Sequence, residues 1–228
     1  MGGRVGGQKG LTMDSLLIAI DGPSGSGKST TARLLAAKHG LGYLDTGAMY
    51  RAETAGVLAE GIGDDDITEY VASANLEIDT AVDGNRLSIN GRDVTEEIRE
   101  PRISASVSRI AANLEVRRVL TDRMRNIIDE HARRIVVEGR DITTVVAPDA
   151  DVRILLVADP EARVARREAE LSGKADRAAV TDQVLRRDRD DSTVSNFTDA
   201  AEGVVVIDST FISPDGVVAE IEKLFPHA

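Results

Sequence analysis

The residues with the clearest chemistry are "GPSGSGKST", positions 22–30. Gly22, four residues, then Gly27-Lys28-Ser29 is the spacing at which a chain wraps its backbone around phosphate oxygens. The glycines let successive N–H groups turn inward on an anion, and the helix that follows adds its positive end. In such a loop Gly22, Pro23, Ser24, Gly25, Ser26, Gly27, Lys28, Ser29 and Thr30 surround the phosphates of a nucleoside triphosphate. Lys28 reaches the outer phosphates, and the Ser29 hydroxyl takes part in holding Mg²⁺. A chance Gly-Ser turn would not also have the apolar run "LLIAI" before it and the helical pattern "TARLLAAKHG" after it. Hydrolysis, switching and transfer all remain open at this point, although the guanine-reading Asn-Lys-x-Asp of a GTPase switch occurs nowhere in the chain.

Transfer requires an acceptor, and two further segments offer groups for one. "LDTGAMYR" (44–51) places Tyr50 and Arg51 one turn into a helix opened by Asp45-Thr46-Gly47. "EGRD" (138–141) ends a buried run and carries Arg140 and Asp141 to the edge where open α/β sheets bind ligands. Arg51 and Arg140 could converge on a second phosphate; taken alone, each is more often a surface ion-pair partner. In "RRDRDD" (186–191) Arg187 and Asp191 are spaced i, i+4, which suits a solvated salt bridge or a clamp on a sugar.

The elements that must position these groups alternate. Continuous apolar runs at 16–20, 41–44, 134–139, 152–158 and 203–208 mark strands buried on both faces, separated by helical patterns, and so a doubly wound α/β core. Gly40 stops the first helix; Asp159-Pro160 and Ser213-Pro214 start two others; Val116, Leu120, Met124 and Ile127 or Ile128 give a long amphipathic one. Asp66 and Glu69 have capping-box spacing. "LEIDT", "RLSIN" and "RDVT", separated by Asp83-Gly84-Asn85 and Asn90-Gly91, predict a small antiparallel meander inserted in the core.

The bulk numbers exclude several classes. With 228 residues the chain is one domain, and without cysteine it has no disulfide or thiolate metal site, which suits a reducing cytoplasm. A net charge of −11 opposes nucleic-acid binding. Arginine supplies 23 of the 28 basic residues, which suits bidentate phosphate recognition, as a GC-rich genome would also produce. Residues 1–14 read as a disordered tail, and no apolar run approaches the length of a membrane span.

In order along the chain, "IDGPSGSGKST", "YLDTGAMYR", "GRDVTEEIR", "VEGRDITTVVAPDA", "RRDRDD" and "VIDST" resemble the bacterial cytidylate kinases. The resemblance covers nearly all of residues 15–225 and implies the P-loop nucleoside monophosphate kinase fold: a five-stranded parallel sheet flanked by helices, a monophosphate-binding region at about 45–115 with the antiparallel insertion, and a lid at about 168–198. It implies transfer from MgATP to CMP or dCMP by a monomer. Thr46, Tyr50 and Arg51 would flank the acceptor, with Arg51 and Arg140 on its phosphate. Ser108, Arg117 and Asp141 would read cytosine, and Arg187 and Asp191 would hold the ribose. Arg163, Arg166, Arg167 and Arg187 become candidates to face the transferring group, with Lys28 and Arg140. One departure stands out: many members of the family carry a further arginine and a Ser-Pro-Leu stretch where this chain reads "DSTVSNFTDAAEG", and Arg189 is the expected replacement. The rival readings are a kinase of the same fold acting on UMP, AMP or shikimate, and a nucleotide-binding regulatory switch.

Overall fold

A computed structural model of the protein describes residues 15–84, 86–170 and 199–226. The expected tail, residues 171–198 of the expected lid, and the roles read for Arg187, Arg189 and Asp191 lie outside the described residues.

Five parallel strands, β1 (Leu16–Asp21), β2 (Gly42–Asp45), β6 (Arg134–Gly139), β7 (Val152–Val157) and β8 (Val205–Asp208), form one sheet in the order β2-β6-β1-β7-β8. All six residues of β1 are buried because both faces are covered. Leu17 and Ala19 point into a layer with Met49 and Ala52 of α2 (Thr46–Glu60) and with Leu120 and Met124 of α5 (Leu114–Glu130). Leu16, Ile18 and Ile20 point the other way, onto Ala32, Leu35 and Ala36 of α1 (Lys28–His39) and onto Val217, Val218 and Ile221 of α7 (Pro214–Glu222). Period-two alternation between two apolar layers is what the unbroken apolar run encodes.

The remaining helices are α3 (Ile67–Ser73), α4 (Pro101–Ala111) and α6 (Pro160–Glu170). The sequence reading names no helix at 101–111, although Pro101 occupies its first turn. Asp66 does not cap α3 with its side chain: Asp64–Asp66 already forms a 3-10 turn, so the Asp66 backbone is helical when α3 begins. Ser213 does cap α7, accepting from Gly216 N at 3.2 Å.

The insertion is the antiparallel sheet β3 (Leu76–Ile78), β4 (Leu87–Ile89) and β5 (Arg92–Asp93). Asn90 and Gly91, at φ 51° and 77°, make the tight turn between β4 and β5. No helix among the described residues is long and apolar enough to cross a membrane. Because the main strands are parallel, the loops after β1, β2, β6, β7 and β8 gather at one edge, and every described candidate residue of the glycine loop, "LDTGAMYR" and "EGRD" lies at that edge.

Candidate active site

The glycine loop leaves β1 through Gly22, at φ +151°, where an added Cβ would lie 2.1 Å from the Leu156 carbonyl oxygen. At Gly25, with φ +77°, an added Cβ would lie 2.6 Å from the Arg163 carbonyl oxygen of α6. Side chains are excluded at both points, so the loop can lie flat between β7 and α6 before α1 starts at Lys28. Lys28 Nζ donates to the Pro23 carbonyl at 3.0 Å and so folds back across the loop. Ser26 is fully buried, and its carbonyl accepts from Ser209 Oγ at 2.9 Å. Arginines of α6 brace this assembly: Arg163 donates to the Ser24 carbonyl at 3.1 Å, and Arg166 to Ser209 Oγ at 3.0 Å and the Ser209 carbonyl at 2.5 Å.

Across the edge, α2 opens on Asp45, whose carboxylate accepts from Ala48 N at 2.8 Å and pairs with Arg51 at 3.1 Å. Thr46 donates its hydroxyl to the Glu138 carbonyl at 2.9 Å, tying α2 to the end of β6. Arg140 donates to the Gly22 carbonyl at 3.2 Å, so the segment after β6 touches the first residue of the glycine loop. Asp141 is ion-paired with Arg117 of α5, each side chain 13% exposed. The Arg117 guanidinium also lies 5.8 Å from the centre of the Tyr50 ring.

These parts enclose a single cleft of about 670 Å³. Its glycine-loop side is lined by Ser24, Gly25, Gly27, Lys28, Ser29, Thr30 and Arg167, and its other side by Thr46, Tyr50, Arg51, Arg117, Arg140 and Asp141. The structure thus brings Lys28, Arg51 and Arg140 onto one cavity. Gly22, Pro23 and Ser26 lie behind the loop rather than on that surface. Ser108 is half-buried on α4 and is not part of the wall, where α4 contributes Ser104, Val107 and Ala111 instead. Arg163 and Arg166 are turned onto Ser24, Ser209 and Thr210, so of the arginines of α6 it is Arg167 that faces the cleft.

Three polar lining residues were given no role by the sequence: Arg99, Ser104 and Glu138. Glu138 had a visible signal, a carboxylate inside the buried run "RIVVEG". It accepts from Ser29 Oγ at 2.5 Å and from the Tyr43 hydroxyl at 3.1 Å. Burial raises its carboxyl above the ordinary range, the Asp45 charge adds to that, and Lys28, Ser29 and Tyr43 oppose it. A hydroxyl and a carboxylate side by side are the hard oxygen donors that Mg²⁺ takes. No cluster of three or more metal-binding side chains occurs among the described residues.

The family model described as "Cytidylate kinase" matches residues 18–227. The chain is similar to a cytidylate kinase of Cutibacterium acnes, 53% identical over 95% of this chain and 98% of that protein. It is also similar to one of Streptomyces avermitilis, 42% identical over 91% of each chain, and to one of Rhodococcus opacus, 43% identical over 92% of this chain and 95% of the other.

Proposed function

The chain belongs to the cytidylate kinase family, and from that premise we propose how its residues divide the work of moving a phosphoryl group from ATP to CMP. The overall reaction breaks the bond between the γ-phosphorus of ATP and its bridging oxygen and forms a bond from that phosphorus to an oxygen of the CMP phosphate, releasing ADP and CDP. A phosphate monoester has a second pKa of about 6, so the attacking oxygen is already anionic at pH 7 and no general base is needed. The residues therefore act by positioning and by offsetting negative charge.

On this reading the loop Gly22–Thr30 holds the donor phosphates through backbone N–H groups, with Lys28 on the outer ones. Arg51 leaves Asp45 to bind the acceptor phosphate together with Arg140. Arg167 closes over the transferring group, joined by Arg187 from the segment beyond α6. Water exclusion strengthens each of these contacts, because charge interactions grow as the local dielectric falls. Cytosine presents an exocyclic amino donor, which the Asp141 carboxylate accepts, and ring acceptors, which Arg117 satisfies. Thr46 and Tyr50 flank the nucleotide, and Arg187 and Asp191 hold its ribose. Ser29 and Glu138 would hold Mg²⁺, which supplies neutralisation of phosphate charge when bound. dCMP, which carries the same base and phosphate as CMP, is a second acceptor. One chain supplies both sides of the cleft, so a cytoplasmic monomer suffices.

The observation that carries this reading is that Lys28, Arg51 and Arg140 line one cleft with the Arg117–Asp141 pair in its wall. Its test is a coupled ADP-release assay with CMP, dCMP, UMP, AMP and shikimate. Turnover led by CMP and dCMP is expected. Turnover led by another acceptor would reassign the substrate, and ATP binding without acceptor-dependent turnover would favour a regulatory switch.

A further inference from the structure

Asp21 ends β1, immediately before the glycine loop, and is 2% exposed. Its carboxylate accepts three hydrogen bonds and has no ion-pair partner among the described residues: Ile142 N at 2.7 Å on Oδ1, and Thr143 N at 2.9 Å and Thr143 Oγ1 at 2.6 Å on Oδ2. Burying a carboxylate without a cation is costly. If the site only needed filling, an apolar or neutral residue would do so at lower cost. Three converging donors, however, require a group that accepts on both oxygens and donates nothing. An asparagine of the same shape would aim an N–H at another N–H.

The donors belong to the segment that follows Arg140 and Asp141. There the chain takes one π turn, Ile142–Val146, entered from Asp141 at φ −143°, ψ 29°. Val145 N at 2.8 Å and Val146 N at 3.2 Å both bond the Asp141 carbonyl. Such turns are rare and recur at functional sites. Asp21 caps the otherwise unpaired N–H groups at the start of this turn, and so fixes where the backbone of Asp141 stands relative to β1. On its other side, Asp21 is covalently joined to Gly22, whose carbonyl accepts from Arg140 at 3.2 Å. One buried carboxylate thus ties the first residue of the donor loop to the pair of residues facing the acceptor.

We propose that Asp21 is a positioning residue that holds Asp141 and Arg140 in register with the donor loop, and through them sets the discrimination between cytosine and uracil. It touches neither nucleotide. The proposal rests on the reading that Asp141 faces the base.

The test compares Asp21→Asn, Thr143→Val and Asp141→Asn with the unaltered protein, measuring KM and kcat for CMP and UMP, Kd for a fluorescent ATP analogue, and Tm. Asp21→Asn is expected to lower the CMP-over-UMP preference in kcat/KM by about tenfold, mainly through the KM for CMP, since a small misplacement of binding groups has effects of at least that size. Kd for the ATP analogue should stay within about twofold, because the loop's own N–H groups are untouched. Thr143→Val, which removes one of the three donors and keeps the fold's shape, should change the preference in the same direction by about twofold to fivefold, one hydrogen bond's worth. It remains informative if Asp21→Asn does not fold. A lower Tm with an unchanged preference in the folded variants would make Asp21 a purely structural residue and overturn the proposal. If Asp141→Asn loses the preference while the folded Asp21 and Thr143 variants keep it, the proposal alone fails. If Asp141→Asn also keeps it, the reading of the base site fails with it.

Discussion

Replacing Arg117 by methionine keeps most of the side chain's apolar stem and removes its guanidinium. Three contacts go with it: the ion pair to Asp141, the bond from Nη1 to the Ala111 carbonyl at 3.2 Å, and the position over the Tyr50 ring. Asp141 then keeps its charge without a cation, close enough to Asp21 for the two carboxylates to repel. Breaking a fully buried pair costs about 3–5 kcal/mol. With both side chains 13% exposed and water able to reach the cleft, a loss of about 1–3 kcal/mol is expected. For a domain of this size that lowers Tm by about 2–10 °C. The functional effect is separate. A well-made set of hydrogen bonds to one base edge discriminates by about 1–3 kcal/mol, so the CMP-over-UMP ratio of kcat/KM should fall by about 5- to 150-fold. At saturating CMP, kcat should change little, since Lys28, Arg140 and Arg167 remain. Thermal melts and steady-state kinetics with both acceptors measure the two effects independently. A lowered Tm with an intact CMP preference would refute the reasoning, since the pair would then be structural and the base read elsewhere.

Lys28→Ala should abolish turnover while leaving the far-UV circular dichroism spectrum and cooperative melting intact; near-normal kcat would remove the lysine from the donor site. Glu138→Gln should raise the Mg²⁺ concentration needed for half-maximal rate by about tenfold or more, and an unchanged Mg²⁺ titration would limit Glu138 to a structural role. Gly22→Ala places a methyl against the Leu156 carbonyl oxygen and should cost about 1–3 kcal/mol of stability; a chemical denaturation midpoint equal to that of the unaltered protein would contradict the geometry. Glu53 is fully buried beside Arg123 at 2.7 Å, and burial pushes its carboxyl up to about 7. A carboxyl that binds its proton more tightly when folded contributes stability fully below about pH 4.5 and loses it as the pH rises through about 7. The stability advantage over Glu53→Gln should therefore shrink by on the order of 3 kcal/mol across that window, and a difference constant with pH would sink this reading of Glu53.

The glycine-loop side of the cleft was legible because its geometry is local. Phosphate binding by backbone N–H groups needs only glycines at fixed offsets between a strand and a helix, and both neighbours were visible as an unbroken apolar run and a run ending on Gly40. The inner strands β1, β6 and β7 were legible for the same reason, since burial on both faces writes itself into consecutive residues; β8, at the sheet edge, departs from that expectation, with Val205, Val206 and Asp208 exposed although its run is equally apolar. The acceptor half depends on groups far apart in the chain. Nothing in the spacing of Arg117 and Asp141, 24 residues apart, shows that they meet, and only the family resemblance singled them out. Glu138 sits inside an otherwise apolar run, and the register that sets its carboxylate beside Ser29 exists only once β6 lies next to β1. Helix α4 lacked a usual N-cap, having Glu100 before Pro101 with no side-chain cap. The bracing role of Arg163 and Arg166 could not be read because their partners are main-chain carbonyls, which every residue possesses.

In the proposed reaction one sheet edge holds donor and acceptor phosphates head to head, with the acceptor base against Arg117 and Asp141. A crystal structure with cytidine and adenosine joined through a polyphosphate chain tests it most directly. The expected result is a continuous run of phosphates from the loop at Lys28 to Arg51 and Arg140, with Arg51 released from Asp45 and cytosine in contact with Arg117 and Asp141. A ligand whose cytidine lies outside the cleft while Arg51 still pairs with Asp45 would contradict it.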